Sequence, residues 1–360
     1  MFAVATKEFR QVRRDRRTLA MMLALPILLL VVFGYAASFN VTSLDVEVLG
    51  PQADQVAPQI EKLGDDQGIT IDVVKTDPSG TESTGTEDLK NNVAQVAVVT
   101  GGSEALALID GSQLFTAQAA ETGLAKSGLP IRTEILFNPD LDTSTYMVPA
   151  IIGLILVFIG TTITSLGVVK ERETGTLEQL SVMPFTARDI IAGKLLPYFA
   201  IGLVDMVVVT VIAVVLFDVP FVGPVWQLTL GGVLFLITTM GMGVLISTMS
   251  QSQGQAIQLA MMATLPQVLL SGMIFPLSSM AAGIRWIAYF LPLTYFVPIA
   301  RDTMTKGTSF TAIWEPYALL TVLGVAVLSL ALVRFRRDLG PSARTRRKLA
   351  ERAAESGSGA

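Results

Sequence analysis

KERETGTLEQLSVMPFTAR, Lys170 to Arg188, lies between two long apolar runs and decides how the rest of the chain is read. Four charges open it (Lys170, Glu171, Arg172, Glu173), followed by Thr174, Gly175 and Thr176. Leu177, Leu180 and Met183 then recur at i, i+3 and i+6, one face of a short helix that Pro184 stops. Thr176 and Gln179 have the spacing of a capping box. A solvated loop with one helical turn is the plain reading. The sharper one is a docking helix, because a charged rim around a small apolar face suits a transient protein contact better than lipid.

The flanks place this stretch at a membrane. Of 360 residues, 51% are hydrophobic and only 16% charged, a balance that calls for several spans. Cysteine and histidine are both absent, which removes disulfides, thiol nucleophiles, Ser-His-Asp chemistry and nearly every zinc or haem site.

Charge orders the spans. Residues 39–145 carry 17 acidic and 5 basic residues, a local net of −12. The first 17 residues hold six basic side chains, and the segment from Arg334 onward holds eight. Because short cytosolic segments are rich in Lys and Arg, both termini are expected inside and the acidic domain outside. An even number of spans follows.

In chain order, residues 1–17 read as a basic amphipathic helix lying at the headgroup boundary, attracted to anionic lipid. Residues 18–39 read as an uncleaved first span, long enough for a hydrocarbon core of about 30 Å. Residues 40–145 form the external domain. Strands are expected at Leu44–Leu49, Ile69–Val74, Val93–Thr100, Ala105–Ile109 and Ile131–Phe137, and helices at Ala53–Leu63 and Ser112–Ala125. Asp77–Thr86 reads as a polar loop with nothing to contribute to a core.

Span two is expected at residues 146–169, with an inner polar stripe of Thr161, Thr162, Thr164 and Ser165. The cytosolic segment 170–189 follows, then spans at 190–217, 226–249 and 256–275. Asp205 is the one acidic residue well inside a span, hence a candidate functional residue by default. From Val219 to Ile284 no residue is charged, while Gly231, Gly232, Gly241 and Gly243 permit close helix contacts. SGMIFPLSSM (Ser271–Met280) breaks the fifth span. Within the outer segment 276–313, Ala281–Phe290 and Pro292–Asp302 are too short to cross and read as a re-entrant pair, anchored at the interface by Trp286, Tyr289 and Tyr295. The sixth span is 314–333. The basic tail 334–360 faces anionic lipid rather than nucleic acid.

With these features in place, the chain resembles the permease subunits of ATP-binding-cassette exporters, type-2 permeases with a large external domain between spans one and two. The resemblance covers nearly the whole length. It rests on the basic N-terminal helix, FNPDLDTSTYMVPAI (Phe137–Ile151), KERETGTLEQLSVMP (Lys170–Pro184), SGMIFPLSSM and PLTYFVPIARD (Pro292–Asp302). It implies a polytopic α-helical fold with six transmembrane helices, an N-terminal interfacial helix, an external mixed α/β domain and a re-entrant outer segment before the last span. It also implies a non-catalytic half-transporter that pairs with a second permease chain and a separate cytosolic ATPase, in a bacterial plasma membrane. The matching coupling positions are Glu171, Arg172, Glu173, Gly175, Thr176, Leu177, Glu178 and Leu180.

No G-x-x-x-x-G-K-[ST] phosphate loop occurs in the sequence, so no cofactor is expected here and the partner would hold ATP and Mg. A path walled by Val, Leu, Ile, Met and Phe suits hydrophobic or amphipathic cargo such as drugs, antibiotics or lipids. Two other classes stay open: an ion-coupled secondary transporter, which needs titratable groups near the midplane, and a membrane-anchored sensor or assembly subunit.

Overall fold

The computed structural model describes residues 41–174 and 187–339, apart from 42, 68, 103 and 127–129, together with residue 27. The expected interfacial helix 1–17, the first span at 18–39, residues 175–186 of the coupling segment and the tail beyond 339 lie outside the described residues.

A five-stranded sheet forms the first body. Its strands are β1 (Ser43–Leu49), β2 (Thr70–Asp77), β3 (Val96–Val99), β4 (Ala105–Asp110) and β5 (Ile131–Leu136), in the order β2-β1-β3-β4-β5. Pairing is parallel except between β3 and β4. The helices are α1 (Ala53–Gln67), α2 (Glu82–Lys90) and α3 (Leu114–Lys126).

Side chains alternate across the strands, as the two-residue period requires. Val46, Val48, Val96, Val98, Ala107 and Ile109 share one core with Ile60 of α1 and with Ala117 and Ala120 of α3. Leu49, Ala97 and Leu108 face the other way and pack on Leu89 of α2. The stretch expected to be a core-less loop at Asp77–Thr86 therefore runs into a helix. Strands apolar on both faces need a cover on the second face, and residues 82–90 supply it. Gly85 lets α2 close down, since a Cβ there would lie 3.0 Å from that of Ala97. The third strand also starts later than expected, at Val96, because Val93 is exposed.

The second body is helical. α4 (Thr143–Val157), a π-helical segment (Phe158–Ile163) and α5 (Thr164–Glu173) form one 31-residue helix. At 1.5 Å per residue it is about 46 Å long. The sheet body and Glu173 stand at its opposite ends. α6 (Ala187–Phe217), α7 (Val225–Met249), α8 (Gln253–Leu270), α9 (Ala282–Ala288), α10 (Pro292–Arg301), a second π segment (Asp302–Lys306) and α11 (Trp314–Leu339) complete it. Among the described residues four helices are long and apolar enough to cross a membrane: Thr143–Glu173, Gly193–Phe217, Val225–Met249 and Trp314–Phe335.

α7 is the centre, packing against α11, the first π segment, α5 and α10. Its glycines make this possible, as their positions led one to expect. A Cβ on Gly243 would lie 2.6 Å from the Gly160 carbonyl oxygen. Thr161, Thr162, Thr164 and Ser165 are buried in this seam rather than lining an open path. Three of their hydroxyls donate to main chain: Thr161 to Thr239 (3.5 Å), Thr164 to Ile159 (3.4 Å) and Ser165 to Thr162 (2.9 Å).

α8 stops at Leu270, five residues short of the expected end. Gly272 adopts φ +82°, a backbone turn open to a residue without a side chain. α10, about 15 Å long, is too short to span and is buried on nearly every side, with Phe296 stacked on Phe235 at 4.5 Å. Trp286 and Tyr289 are exposed as interface residues should be, but Tyr295 is not an anchor. It is 9% exposed and its hydroxyl donates to the Tyr289 carbonyl at 2.6 Å, so it is a core residue of the helical body.

Candidate functional site

The coupling positions begin where α5 ends. Arg172 donates from Nη1 to the Ser250 carbonyl at 2.9 Å, which ties α5 to the turn between α7 and α8. Glu173 accepts from the Gln253 backbone N–H at 3.0 Å and from its side-chain amide at 2.5 Å, holding the start of α8. Glu171 is ion-paired with Lys194 near the start of α6. Three successive residues thus bind three different elements: α6, the α7–α8 turn and the start of α8. The local cause is simple: a helix end leaves carbonyls without partners, and the uncharged SQSQGQ turn offers its own polar groups at the same level. Gly175, Thr176, Leu177, Glu178 and Leu180 lie outside the described residues.

Asp205 stands apart from this cluster. It lines a shallow hollow on α6 with Ala200, Ile201, Val204 and Val208, and its Oδ2 is buried without a hydrogen-bond partner among the described residues. Among the described residues no side chain forms an ion pair or hydrogen bond with that oxygen. No group of three or more Asp or Glu positioned to hold a metal occurs among the described residues.

A third polar cluster was not anticipated from the sequence. Lys306, fully buried, donates from Nζ to Asp110 Oδ2 at 2.9 Å and to the Leu89 carbonyl at 3.3 Å, and also bonds Asn92 Oδ1. Asp302 lies 3.9 Å from the same nitrogen and accepts from Asn92 Nδ2 at 2.8 Å. Thr308 donates to the Lys90 carbonyl and Ser309 to Asn91. Asp110, Leu89 and Asn92 belong to the sheet body, whereas Asp302 and Lys306 belong to the helical one.

Burial works against the Lys306 charge, but Asp110 and Asp302 outweigh it and hold its pKa above the ordinary value. Burial pushes the Asp302 carboxyl up, with Lys306 and Asn92 pulling the other way. The one sequence signal was the cluster of charges Arg301, Asp302 and Lys306 late in the outer segment, with Asp302 and Lys306 spaced i, i+4. Their partners lie about 200 residues upstream, beyond any local pattern.

Beside this knot, Arg301 lies flat on the Tyr146 ring, 3.8 Å from its centroid, and donates from Nε to the Tyr146 carbonyl at 3.3 Å. Tyr146 meets Phe115 of α3 edge-on at 5.5 Å. The contact between the two bodies is therefore polar, aromatic and buried.

Four apolar helices of spanning length around a central α7, with a mixed sheet body joined at one end, define a multi-pass helical membrane protein. The family model described as ABC-2 family transporter protein matches residues 16–333, and the chain belongs to that family. It is 28% identical to the probable multidrug ABC transporter permease YbhS of Escherichia coli K12, over 94% of this chain and 97% of that protein. It is 25% identical to the probable multidrug ABC transporter permease YbhR of the same strain, over 94% and 99%. A narrower similarity, 29% identity over 56% of this chain and 29% of the other, links it to ABC transporter G family member 20 of Dictyostelium discoideum. The permease class read from the ERE-T-G-T-LEQL run is thereby established.

Proposed function

We propose that this chain is the membrane subunit of an ATP-driven exporter, working as a dimer with a separate cassette ATPase docked at the Glu171–Leu180 end. The cargo class that fits is hydrophobic or amphipathic, in keeping with the multidrug permeases it resembles. In this reading residues 40–145 face the exterior of a bacterial plasma membrane, both termini are cytosolic, and ATP and Mg belong to the partner.

One observation carries the proposal. The segment that would receive force from a partner emerges from a helix end braced to α6, to the α7–α8 turn and to α8 through Glu171, Arg172 and Glu173. A push on residues 175–186 would reach three further elements without passing through lipid. Sequence supplies the complementary point, since the chain has no phosphate loop with which to hold nucleotide.

The test is reconstitution. The purified chain should hydrolyse no ATP; with its cassette partner it should gain hydrolysis and move a hydrophobic dye. Glu173→Ala and Gly175→Pro should lower dye moved per ATP. Transport unchanged in both variants would remove the docking role. Asp205→Asn should leave ATP-driven transport intact; loss of ion dependence in that variant, with transport indifferent to ATP, would favour the ion-coupled class instead.

A further inference from the structure

Between the sheet body and α10 lies a cavity of about 340 Å³, at the lower end of the roughly 300–1,000 Å³ of organic-ligand pockets. Gln113, Phe115 and Thr116 form one wall; Ser271, Val297 and Arg301 contribute to the opposite one. The walls mix hydrogen-bonding groups with aromatic and aliphatic surface. That combination orients a ligand and buries its apolar part.

The charges are unevenly matched. Lys306 has Asp110 at 2.9 Å and Asp302 at 3.9 Å. Arg301, only 8% exposed, has no carboxylate oxygen within 4.0 Å among the described residues. Its Nε is used by Tyr146 and its plane by the Tyr146 ring, yet Nη2 has no acceptor. A ring face stabilises the charge but supplies no in-plane acceptor for an N–H. Ser271, 1% exposed, likewise has a hydroxyl without a partner. Asp302 also lines the wall, but its oxygens face Asn92 and Lys306. Burying a guanidinium without a counter-ion is costly, and two orphaned polar groups in one cavity wall call for a shared acceptor.

We infer that this cavity binds an amphipathic organic anion, its acidic head on Arg301 and Ser271 and its compact apolar body against Phe115 and Val297. The inference goes beyond the transport reading, because the ligand need not be the cargo. An acidic head on an apolar chain has two sources: a free solute or the headgroup of an anionic lipid.

The chain contains no cysteine, so Gln113→Cys in the full chain gives a unique thiol on the cavity wall. Its labelling by a small methanethiosulfonate reagent is followed in phosphatidylcholine nanodiscs, with decanoate or decan-1-ol as probe. We expect decanoate to slow labelling at least fivefold and decanol to leave it within twofold. Arg301→Gln should abolish the protection and Arg301→Lys keep part of it. Ser271→Ala, which removes only the hydroxyl, should weaken it and guards against an Arg301 variant that fails to fold. A thiol placed at the exposed Thr311 should be insensitive to both probes.

Slowed labelling in phosphatidylglycerol nanodiscs without decanoate would identify lipid as the source of the head; protection by decanoate alone would identify a free solute. Equal protection by decanol, no protection by either anion, full protection in folded Arg301→Gln, or matching effects at Thr311→Cys would each overturn the inference. The assay involves no ATPase and no transport, so its failure is distinct from failure of the exporter reading.

Discussion

Lys306 and Asp110 stand 196 positions apart in sequence and form an ion pair of 2.9 Å with both side chains out of solvent. One end belongs to the π segment after α10 and the other to the end of β4. Together with Asn92 and Asp302 they fasten the sheet body to the end of α10 and its π segment, so the two are expected to move as one piece.

Removing the cation leaves the buried Asp110 carboxylate without its ion-pair partner and Asp302 with only the more distant Arg301 as counter-charge. Lys306→Met should destabilise the protein by about 3–5 kcal/mol, the usual cost of breaking a buried pair from one side. The double variant Lys306→Met with Asp110→Asn should recover more than half of that loss. Thermal unfolding of the full chain in nanodiscs measures both. Equal midpoints for parent and single variant would show that the pair does not hold the two bodies together.

Glu47 on β1 predicts a pH dependence. Its side chain is fully buried, and burial, with the neighbouring Asp88 carboxylate, pushes its carboxyl up to about 8 from an ordinary 4.5; Lys75, 4.0 Å away, pulls the other way but does not cancel this. The folded state therefore keeps a proton that the unfolded chain gives up. The associated stability is complete below about pH 4.5 and is lost as pH rises through about 8. Glu47→Gln should flatten the fall between pH 5 and 8, followed by unfolding of the sheet body. A parent protein whose stability rises across that window would contradict the assignment.

The seam between α7 and the first π segment is equally specific. Gly243→Ala would set a methyl 2.6 Å from the Gly160 carbonyl oxygen and 2.9 Å from that of Thr161, both main-chain atoms that cannot swing aside. A loss of about 1–3 kcal/mol is expected from such overpacking. Gly193→Ala is the control, for nothing lies within 4 Å of its added carbon. It should be neutral or gain up to about 1 kcal/mol of helix propensity. Unfolding midpoints that fall equally in both variants would show that contact does not explain the glycine.

Arg172 braces the end proposed to face the partner through the Ser250 carbonyl. In complex with a cassette ATPase, Arg172→Ala should keep hydrolysis while lowering substrate moved per ATP by roughly fivefold or more, a coupling of ordinary size. A transport-to-hydrolysis ratio equal to the parent's would place the coupling elsewhere.

Much of this was readable from the residues in order. Hydropathy runs and turn residues are local signals, so α7 coincides with the apolar run at 226–249, whereas the helix of the next run ends at Leu270, five residues before the expected 275. The KERE charges were expected at a partner-facing end, and the helix that carries them is tied to the uncharged SQSQGQ turn. Other elements were misread for a definable reason. ESTGTEDLK looks like a loop until the second apolar face of β3 and β4 asks for a cover. Tyr295 looks like an interface residue until α10 is found enclosed on all sides.

By itself the sequence determined the class of molecule: spanning helices and an acidic sheet domain between apolar segments. Hydrophobic periodicity and composition act over one or two turns, and they are written where they act. The tertiary structure alone decided that Lys306 meets Asp110, that Arg301 is left short of an acceptor beside a cavity, and that Thr161 of the first π segment packs against α7. Those outcomes depend on which distant surfaces close on one another. A buried charge acquires its partner only when two bodies fold around it.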